Sequence, residues 1–158
     1  LVPRHLERFK RVKSMIRNSG LILASRSKKT EISEKTQVLL GDTIGELNFL
    51  YSLADVAFVG GSLIDHGGQN LLEPSAQSLA LLSGPSLRNF TDISDELIEK
   101  NCLQIVNNSD ELSENFISLI DDRDKLKNSG CSAFEVFTSN RGATKVILEQ
   151  LNLALKGF

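Results

Sequence analysis

Apolar residues along this chain follow two different spacings. Short apolar runs predict a strand end at 1–2 and strands at 21–24, 37–40, 56–59, 79–82 and 103–106. Uninterrupted runs are typical of strands that are buried on both faces of a parallel sheet. Between the runs, apolar residues recur every three or four positions, which is the spacing of one helix face. The chain is therefore predicted to alternate strands with helices.

The first predicted helix stops at the turn 18–20, and its apolar stripe consists of Leu6, Phe9, Val12 and Ile16. A polar loop is predicted at 26–36. Thr43 and Glu46 have the spacing of a capping box ahead of the second helix. The second and later helices are predicted at 47–53, 70–77, 93–99, 111–120, 125–137 and 144–155.

This alternation predicts an α/β fold, a Rossmann-like parallel sheet flanked by helices. No linker, internal repeat or low-complexity segment interrupts the pattern, so one domain is predicted over residues 1–158. Ligands of such sheets bind beyond the carboxyl ends of the strands. The loops predicted at that edge are Pro3-Arg4-His5, the loop at Gly60 and Ser83-Gly84-Pro85.

Length and composition favour a soluble domain. A chain of 158 residues with 41% hydrophobic residues can bury one core, and no apolar run approaches the ~20 residues of a membrane-spanning helix. Cys102 and Cys131 match no metal-ligand spacing, which favours structural cysteines in a reducing compartment. The chain begins without Met and shows no signal peptide, so we expect it to be part of a longer protein.

Charge is distributed unevenly along the chain. Residues 1–29 carry nine of the 18 basic residues and a single acid, Glu7, so this segment is +8 in a chain of net charge −2. Two interpretations remain open: a solvated basic helix face, or a patch for anionic lipid or a phosphorylated acceptor. A nucleic-acid partner is disfavoured because aromatic residues do not interleave with the basic ones and Trp is absent.

A glycine-rich segment follows the strand predicted at 56–59. Gly60-Gly61 come directly after it, and Gly67-Gly68 precede a predicted helix, so backbone amides and the helix start could approach a phosphate. Plain tight turns would use the same glycines. The segment is neither G-x-G-x-x-G nor a Walker loop, which disfavours dinucleotides and ATP hydrolysis.

Polar residues near these loops have two interpretations each. Asn70 and Glu73 have N-cap and N3 spacing, so they predict a capping box or, alternatively, a Glu73 carboxylate that accepts ribose hydroxyls. Arg4 could bind a phosphate or sugar carboxylate with its forked guanidinium, or be an exposed surface side chain. His66 is interpreted as a surface residue, and two histidines without a carboxylate cluster predict no metal site. Ser62 lies outside any nucleophile elbow.

Several motifs occur in one order along nearly the whole chain. They are Val2-Pro3-Arg4-His5, Glu7-Arg8-Phe9, 41–47 (GDTIGEL), 57–63 (AFVGGSL), 67–70 (GGQN), 72–74 (LEP), Gly84-Pro85 and Asn89-Phe90. Together they resemble the carboxy-terminal half of 3-deoxy-D-manno-octulosonic acid (Kdo) transferases of lipopolysaccharide assembly. These are GT-B glycosyltransferases, whose carboxy-terminal Rossmann-like half binds the nucleotide sugar.

The resemblance implies an inverting transfer from CMP-Kdo to the lipid A precursor, at the cytoplasmic face of the bacterial inner membrane and with no further cofactor. The family's catalytic carboxylate belongs to an amino-terminal domain outside this chain. No catalytic residue is therefore expected here, and the chain alone is expected to bind the donor without turning it over. The expected partners are the amino-terminal domain, the acceptor and an anionic membrane surface.

The resemblance also implies roles for matching residues. Arg4 would face the anionic part of the donor, and Asn70 and Glu73 would hold phosphate and ribose. The remaining residues of the expected binding set are His5, Gly60, Gly61, Ser62, Gly68 and Gln69.

Three positions depart from the family pattern: Leu71 and Ala80 where proline is common, and Ser86 where histidine usually follows Gly-Pro. Two alternative functions stay open, a UDP-sugar glycosyltransferase domain and a non-catalytic nucleotide-sugar-binding module.

Overall fold

The computed structural model describes residues 1–141, and the chain divides into two compact units, Leu1–Leu53 and Ala54–Phe158. The helix predicted at 144–155 lies outside the described residues. Within the described part, no helix is both long enough and apolar enough to cross a membrane.

The first unit contains two helices and two strands: α1 (Leu6–Asn18), β1 (Leu23–Ser25), β2 (Val38–Leu40) and α2 (Leu47–Tyr51). The strands pair in parallel, with Ala24 opposite Leu39. Leu1 is not part of a strand, but its amino group donates to the Leu39 carbonyl at 2.8 Å and its carbonyl accepts from the Gly41 amide at 2.9 Å. The strand end predicted at 1–2 is therefore absent, and two hydrogen bonds of Leu1 to Leu39 and Gly41 take its place.

β1 begins at Leu23, two residues later than the sequence predicts. Leu21 and Ile22 are exposed, and the Ile22 amide donates to the side-chain Oε1 of Gln37 at 3.1 Å. The amide of Ile22 is thereby used by a side chain, whereas its carbonyl accepts from the Gln37 and Val38 amides at 2.9 and 3.1 Å, so hydrogen bonding to the second strand begins at this carbonyl.

The described part of the second unit, residues 54–141, has three strands and four helices: β3 (Val56–Val59), α3 (Leu72–Ser75), β4 (Ala80–Ser83), α4 (Thr91–Glu99), β5 (Leu103–Ile105), α5 (Ser109–Asp121) and α6 (Arg123–Ser139). The strands are all parallel in the order β3-β4-β5, and every residue of the central β4 is buried. One core cluster contains Ala80, Leu82, Val106 and Leu119. This arrangement confirms the predicted α/β fold with parallel strands flanked by helices.

Side-chain caps set the starts of the last two described helices. Asn108 Oδ1 accepts from the amides of Asp110 and Glu111 at 3.0 and 2.9 Å, and Asp122 Oδ1 accepts from the Lys125 amide at 2.9 Å. Each cap satisfies donors that have no partner within the helix. Both helices therefore begin two residues earlier than predicted.

Helix α3 is only four residues long, so the prediction of a helix over 70–77 is wrong. The chain must turn from α3 into β4, and Ser78 makes that turn in the left-handed region with φ of +56°. Gly130 of α6 packs against this turn so closely that a Cβ at Gly130 would overlap the Ser78 carbonyl. A glycine inside α6 thus allows the helix to contact the turn directly.

Candidate functional site

A glycine-rich loop, residues 60–70, lies at the carboxyl end of β3. Its two glycine pairs meet, since the Gly68 amide donates to the Gly61 carbonyl at 3.0 Å. Gly61 and Gly68 have φ of +73° and +75°, a region that residues with side chains rarely adopt. The loop is therefore closed on itself at the edge of the sheet where α/β folds bind ligands.

Ser62 ties this loop to the loop that follows β4. Its Oγ donates to the Val59 carbonyl and accepts from the Gly84 amide, both at 2.8 Å, and the residue has no exposed surface. Gly84 approaches so closely that a Cβ would overlap the Ser62 carbonyl. Both hydrogen-bonding roles of the Ser62 hydroxyl are occupied and the residue has no exposed surface, so its side chain serves to hold the two loops together.

Gly60 has no structural requirement for glycine. Its φ lies outside the left-handed region, and a Cβ built on it meets no atom within 4 Å. By contrast, a Cβ on Gly61 would lie 3.2 Å from the Gln69 side-chain nitrogen. Open space beside a strand end is what close approach of a ligand to the backbone requires.

The spacing of Asn70 and Glu73 brings their side chains together, but not as a capping box. Asn70 Nδ2 donates to Glu73 Oε1 at 3.2 Å, and Asn70 Oδ1 accepts from the Leu72 amide at 3.0 Å. The N-cap of α3 is Leu71, which makes no side-chain cap bond. Because α3 is a single turn, its dipole contributes little to anion binding.

Sequence reasoning missed a cluster formed by Asp65, Ser86 and Arg88. Arg88 Nη1 pairs with Asp65 Oδ1, and this contact holds the pKa of the Asp65 carboxyl below its usual value. The Ser86 hydroxyl donates to the same oxygen at 3.3 Å and accepts from the Gly67 amide at 2.9 Å. The departure from the family pattern at Ser86 was the only sequence signal that pointed to this cluster.

Arg4 and His5 belong to the first unit and lie directly before α1. Both are exposed, and His5 is the N-cap of α1 without a side-chain cap bond. The His5 imidazole lies 4.0 Å from Glu7 Oε1. Their role toward a donor stays a prediction.

Asp42 organises the loop after β2 in the first unit. Its carboxylate accepts from the Ser27 amide (2.8 Å), the Ser27 hydroxyl (2.6 Å) and the Ser25 hydroxyl (2.7 Å). Burial by itself would raise the pKa of Asp42, but these hydrogen bonds outweigh it and lower the pKa to about 2. Lys13 Nζ donates to the same Ser25 hydroxyl at 3.2 Å, so Lys13 faces inward and is not on the free face of α1.

The predicted capping box of Thr43 and Glu46 is wrong. Glu46 is itself the N-cap of α2 and makes no side-chain cap bond. Its carboxylate instead accepts two hydrogen bonds from Arg26 (2.8 and 3.1 Å) and one from Thr43 Oγ1 (2.5 Å), which lower the Glu46 pKa to about 2. Spacing alone could not distinguish the cap from this ion pair, because Arg26 is distant in sequence.

Within residues 1–141, no group of three or more His, Cys, Asp or Glu side chains is placed to hold a metal ion.

Cys102 is buried, and burial raises the pKa of its thiol to about 11, whereas Cys131 is exposed. The thiol of Cys102 therefore stays protonated at neutral pH and packs as a core side chain.

Known proteins resemble this chain over most of its length. A 3-deoxy-D-manno-octulosonic acid transferase of Haemophilus influenzae is 38% identical over 152 residues, 96% of this chain and 36% of that protein. A bifunctional glycosyltransferase/methyltransferase of Fusobacterium nucleatum is 32% identical over 160 residues, 100% of this chain and 24% of that protein. The chain thus spans about a third or less of the length of these curated relatives. No family model matches it.

A solved structure shares the fold. It is the crystal structure of the C-terminal CMP-Kdo binding domain of WaaA from Acinetobacter baumannii, with a TM-score of 0.81 and 35% sequence identity, covering 85% of this chain and 72% of that one. The fold of parallel strands flanked by helices, with its glycine-rich loop after β3, is consistent with both the sequence relatives and the solved structure. The chain therefore belongs to the family of 3-deoxy-D-manno-octulosonic acid transferases, and its α/β fold is that of the carboxy-terminal domain of these GT-B glycosyltransferases.

Proposed function

We propose that this chain is the donor-binding half of a Kdo transferase and that its ligand is CMP-Kdo. The observation that carries the proposal is its likeness to a CMP-Kdo binding domain at 35% identity over 85% of the chain. The open backbone at Gly60, next to the closed turn of Gly61 and Gly68, supports it because a phosphate needs close access to main-chain amides.

Each residue at the carboxyl end of β3 has a proposed role. Gly60 and Gly61 approach the donor phosphate with their backbone, and Ser62 fixes them to the sheet. Glu73, oriented by Asn70, accepts the ribose hydroxyls. Gly68 closes the loop, and its neighbour Gln69 lies beside Gly61 at the same place.

The complete reaction needs parts outside this chain. We propose an inverting transfer of Kdo to the lipid A precursor, with the catalytic carboxylate supplied by an amino-terminal domain. The acceptor is an amphiphile of the inner membrane, so we propose that the enzyme works at the cytoplasmic face of that membrane.

The basic helix α1 is proposed to help it dock there. Its side chains Arg8, Lys10, Arg11 and Arg17 are all exposed, while Ile16 is buried. An exposed basic face of this kind is attracted to anionic headgroups by about 1 kcal/mol per Lys or Arg.

A nucleotide panel tests the donor assignment. CMP, UMP, UDP and ADP are titrated separately into the 158-residue chain while amide NMR shifts are followed. We expect CMP to bind most tightly and to shift the amides of Gly60, Gly61 and Gly68. Tightest binding of UDP would indicate a UDP-sugar transferase instead, and absence of any nucleotide binding would refute the proposal.

A second measurement separates an enzyme from a binding module. The full-length protein that contains this chain is supplied with CMP-Kdo and lipid A precursor, and product is followed by mass spectrometry. Nucleotide binding without any Kdo transfer would support the non-catalytic alternative.

A further inference from the structure

Ser86 contacts the glycine loop at three separate places. Its amide donates to the Ser62 carbonyl at 2.9 Å, at the start of the loop. Its hydroxyl donates to Asp65 Oδ1 at 3.3 Å, at the apex, and accepts from the Gly67 amide at 2.9 Å, near the end. A single residue after β4 thus holds the start, the apex and the end of the loop that follows β3.

A short path of bonds connects the Ser86 hydroxyl to the proposed phosphate position. The hydroxyl orients the Gly67 amide, the next residue Gly68 donates its own amide to the Gly61 carbonyl at 3.0 Å, and Gly61 is bonded to Gly60. Movement of Gly67 is therefore passed through the backbone to Gly68 and from there to Gly61 through one hydrogen bond.

Burial decides which contact in the cluster matters most. The side chains of Arg88 and Asp65 are 60% and 83% exposed, and exposed ion pairs contribute little. Gly67 is buried, so removal of its acceptor on Ser86 would leave a backbone donor away from water without a partner. The Ser86 hydroxyl is thus the more important contact, and the ion pair with Arg88 is secondary.

We propose that Ser86 is a positioning residue of the donor site: its hydroxyl holds the His66–Gly67 peptide, and with it Gly68, so that Gly60 and Gly61 present the backbone geometry that the donor phosphate needs. Serine suits this role because one hydroxyl accepts from an amide and donates to a carboxylate at the same time. This inference rests on the proposed function, and it concerns the position at which the chain departs from the histidine of the family pattern.

The test compares four variants of the 158-residue chain: Ser86→Ala, Ser86→Thr, Arg88→Ala and, as a matched control, Ser113→Ala on the exposed face of α5. CMP affinity, melting temperature and exchange of the Gly67 amide are measured for each. For Ser86→Ala we expect roughly fivefold to tenfold weaker CMP binding and faster Gly67 exchange. Ser86→Thr keeps the hydroxyl and should retain the CMP affinity of the unaltered chain. Arg88→Ala and Ser113→Ala should change that affinity by less than about twofold.

The outcomes separate this inference from the proposed function. If the unaltered chain binds CMP and the Ser86→Ala variant binds it with the same affinity, the positioning role alone is overturned. This holds whatever the melting temperature of the variant. Failure of the unaltered chain to bind CMP would overturn the proposed function and this inference with it.

Discussion

The side-chain amide of Asn70 donates to Oε1 of Glu73 across 3.2 Å, while Asn70 Oδ1 accepts from the Leu72 amide at 3.0 Å. Asn70 therefore orients the Glu73 carboxylate and the first turn of α3 together. A carboxylate held in this way loses little side-chain freedom when it accepts further hydrogen bonds, which suits it to two ribose hydroxyls.

Glu73→Gln is expected to weaken CMP binding by about 1.5 to 3 kcal/mol, roughly tenfold to a hundredfold, because the amide replaces a charged acceptor. The glutamine carbonyl still accepts from Asn70, so the melting temperature should change little. Calorimetric titration and thermal unfolding check both expectations. The exposed Glu99→Gln on α4 serves as the control. Unchanged affinity together with lowered stability would limit Glu73 to a structural role.

Gly60→Ala is expected to affect binding without affecting folding. The backbone at Gly60 tolerates a Cβ, so the free energy of unfolding should stay within about 1 kcal/mol of its original value or rise slightly. CMP affinity should fall more than roughly tenfold, because the added methyl group occupies the space that a phosphate needs.

Gly67→Ala is the contrasting variant for that experiment. Gly67 has φ of +84°, and a Cβ on it would overlap the Asn89 side chain, so this substitution should lower stability directly. If Gly60→Ala binds CMP as well as the unaltered chain, the ligand does not approach the backbone at Gly60.

Asp42 should make the stability of the chain sensitive to acid. Its pKa is lowered from 3.8 to about 2 in the folded state, so the carboxylate stabilises the fold above the unfolded pKa. This contribution, about 1 to 2 kcal/mol after allowance for partial exposure, is lost as the pH falls from about 4 to about 2. Asp42→Asn should therefore be less stable than the unaltered chain at pH 7, and the difference should shrink at low pH. Urea unfolding at several pH values measures this difference in the free energy of unfolding. A difference that does not vary with pH would contradict the lowered pKa of Asp42.

Helix α1 should bind anionic vesicles through its exposed basic side chains. We expect co-sedimentation at low salt and release near ~0.3 M salt, since screening acts within ~8 Å already at physiological ionic strength. The variant that should abolish binding carries Glu at positions Lys10, Arg11 and Arg17. Lys13 is left in place because it donates to Ser25 inside the unit.

The control variant for the vesicle experiment makes the same change in net charge, but in the second unit. It carries Glu at three exposed basic positions of the second unit, Lys100, Arg123 and Lys127. Equal loss of binding in both variants would indicate attraction to net charge rather than docking by α1. If the unaltered chain ignores anionic vesicles even at low salt, α1 is a solvated basic face.

Apolar spacing along the sequence predicts the order of the described elements and the place of the glycine loop. β3 and β4 follow from uninterrupted apolar runs, which are typical of strands in a covered parallel sheet, whereas Gln104 interrupts the apolar run that predicts β5. The contact of Asn70 with Glu73 was also predictable, since residues three apart near a helix start are neighbours whatever the rest of the chain does. Helix starts were misjudged by two residues where Asn108 and Asp122 cap earlier than the apolar spacing begins.

The roles of the polar loop side chains depend on contacts between distant parts of the chain. Ser62 was expected in the binding set from the resemblance alone; its hydroxyl accepts from the amide of Gly84, 22 residues away, and the Ser86 hydroxyl accepts from the amide of Gly67, 19 residues away. Such partners are brought together by the parallel pairing of β3 with β4, which places the two loops side by side at one edge of the sheet. A hydroxyl can donate or accept toward any neighbour, so its role is undetermined until the packing of distant segments supplies that neighbour.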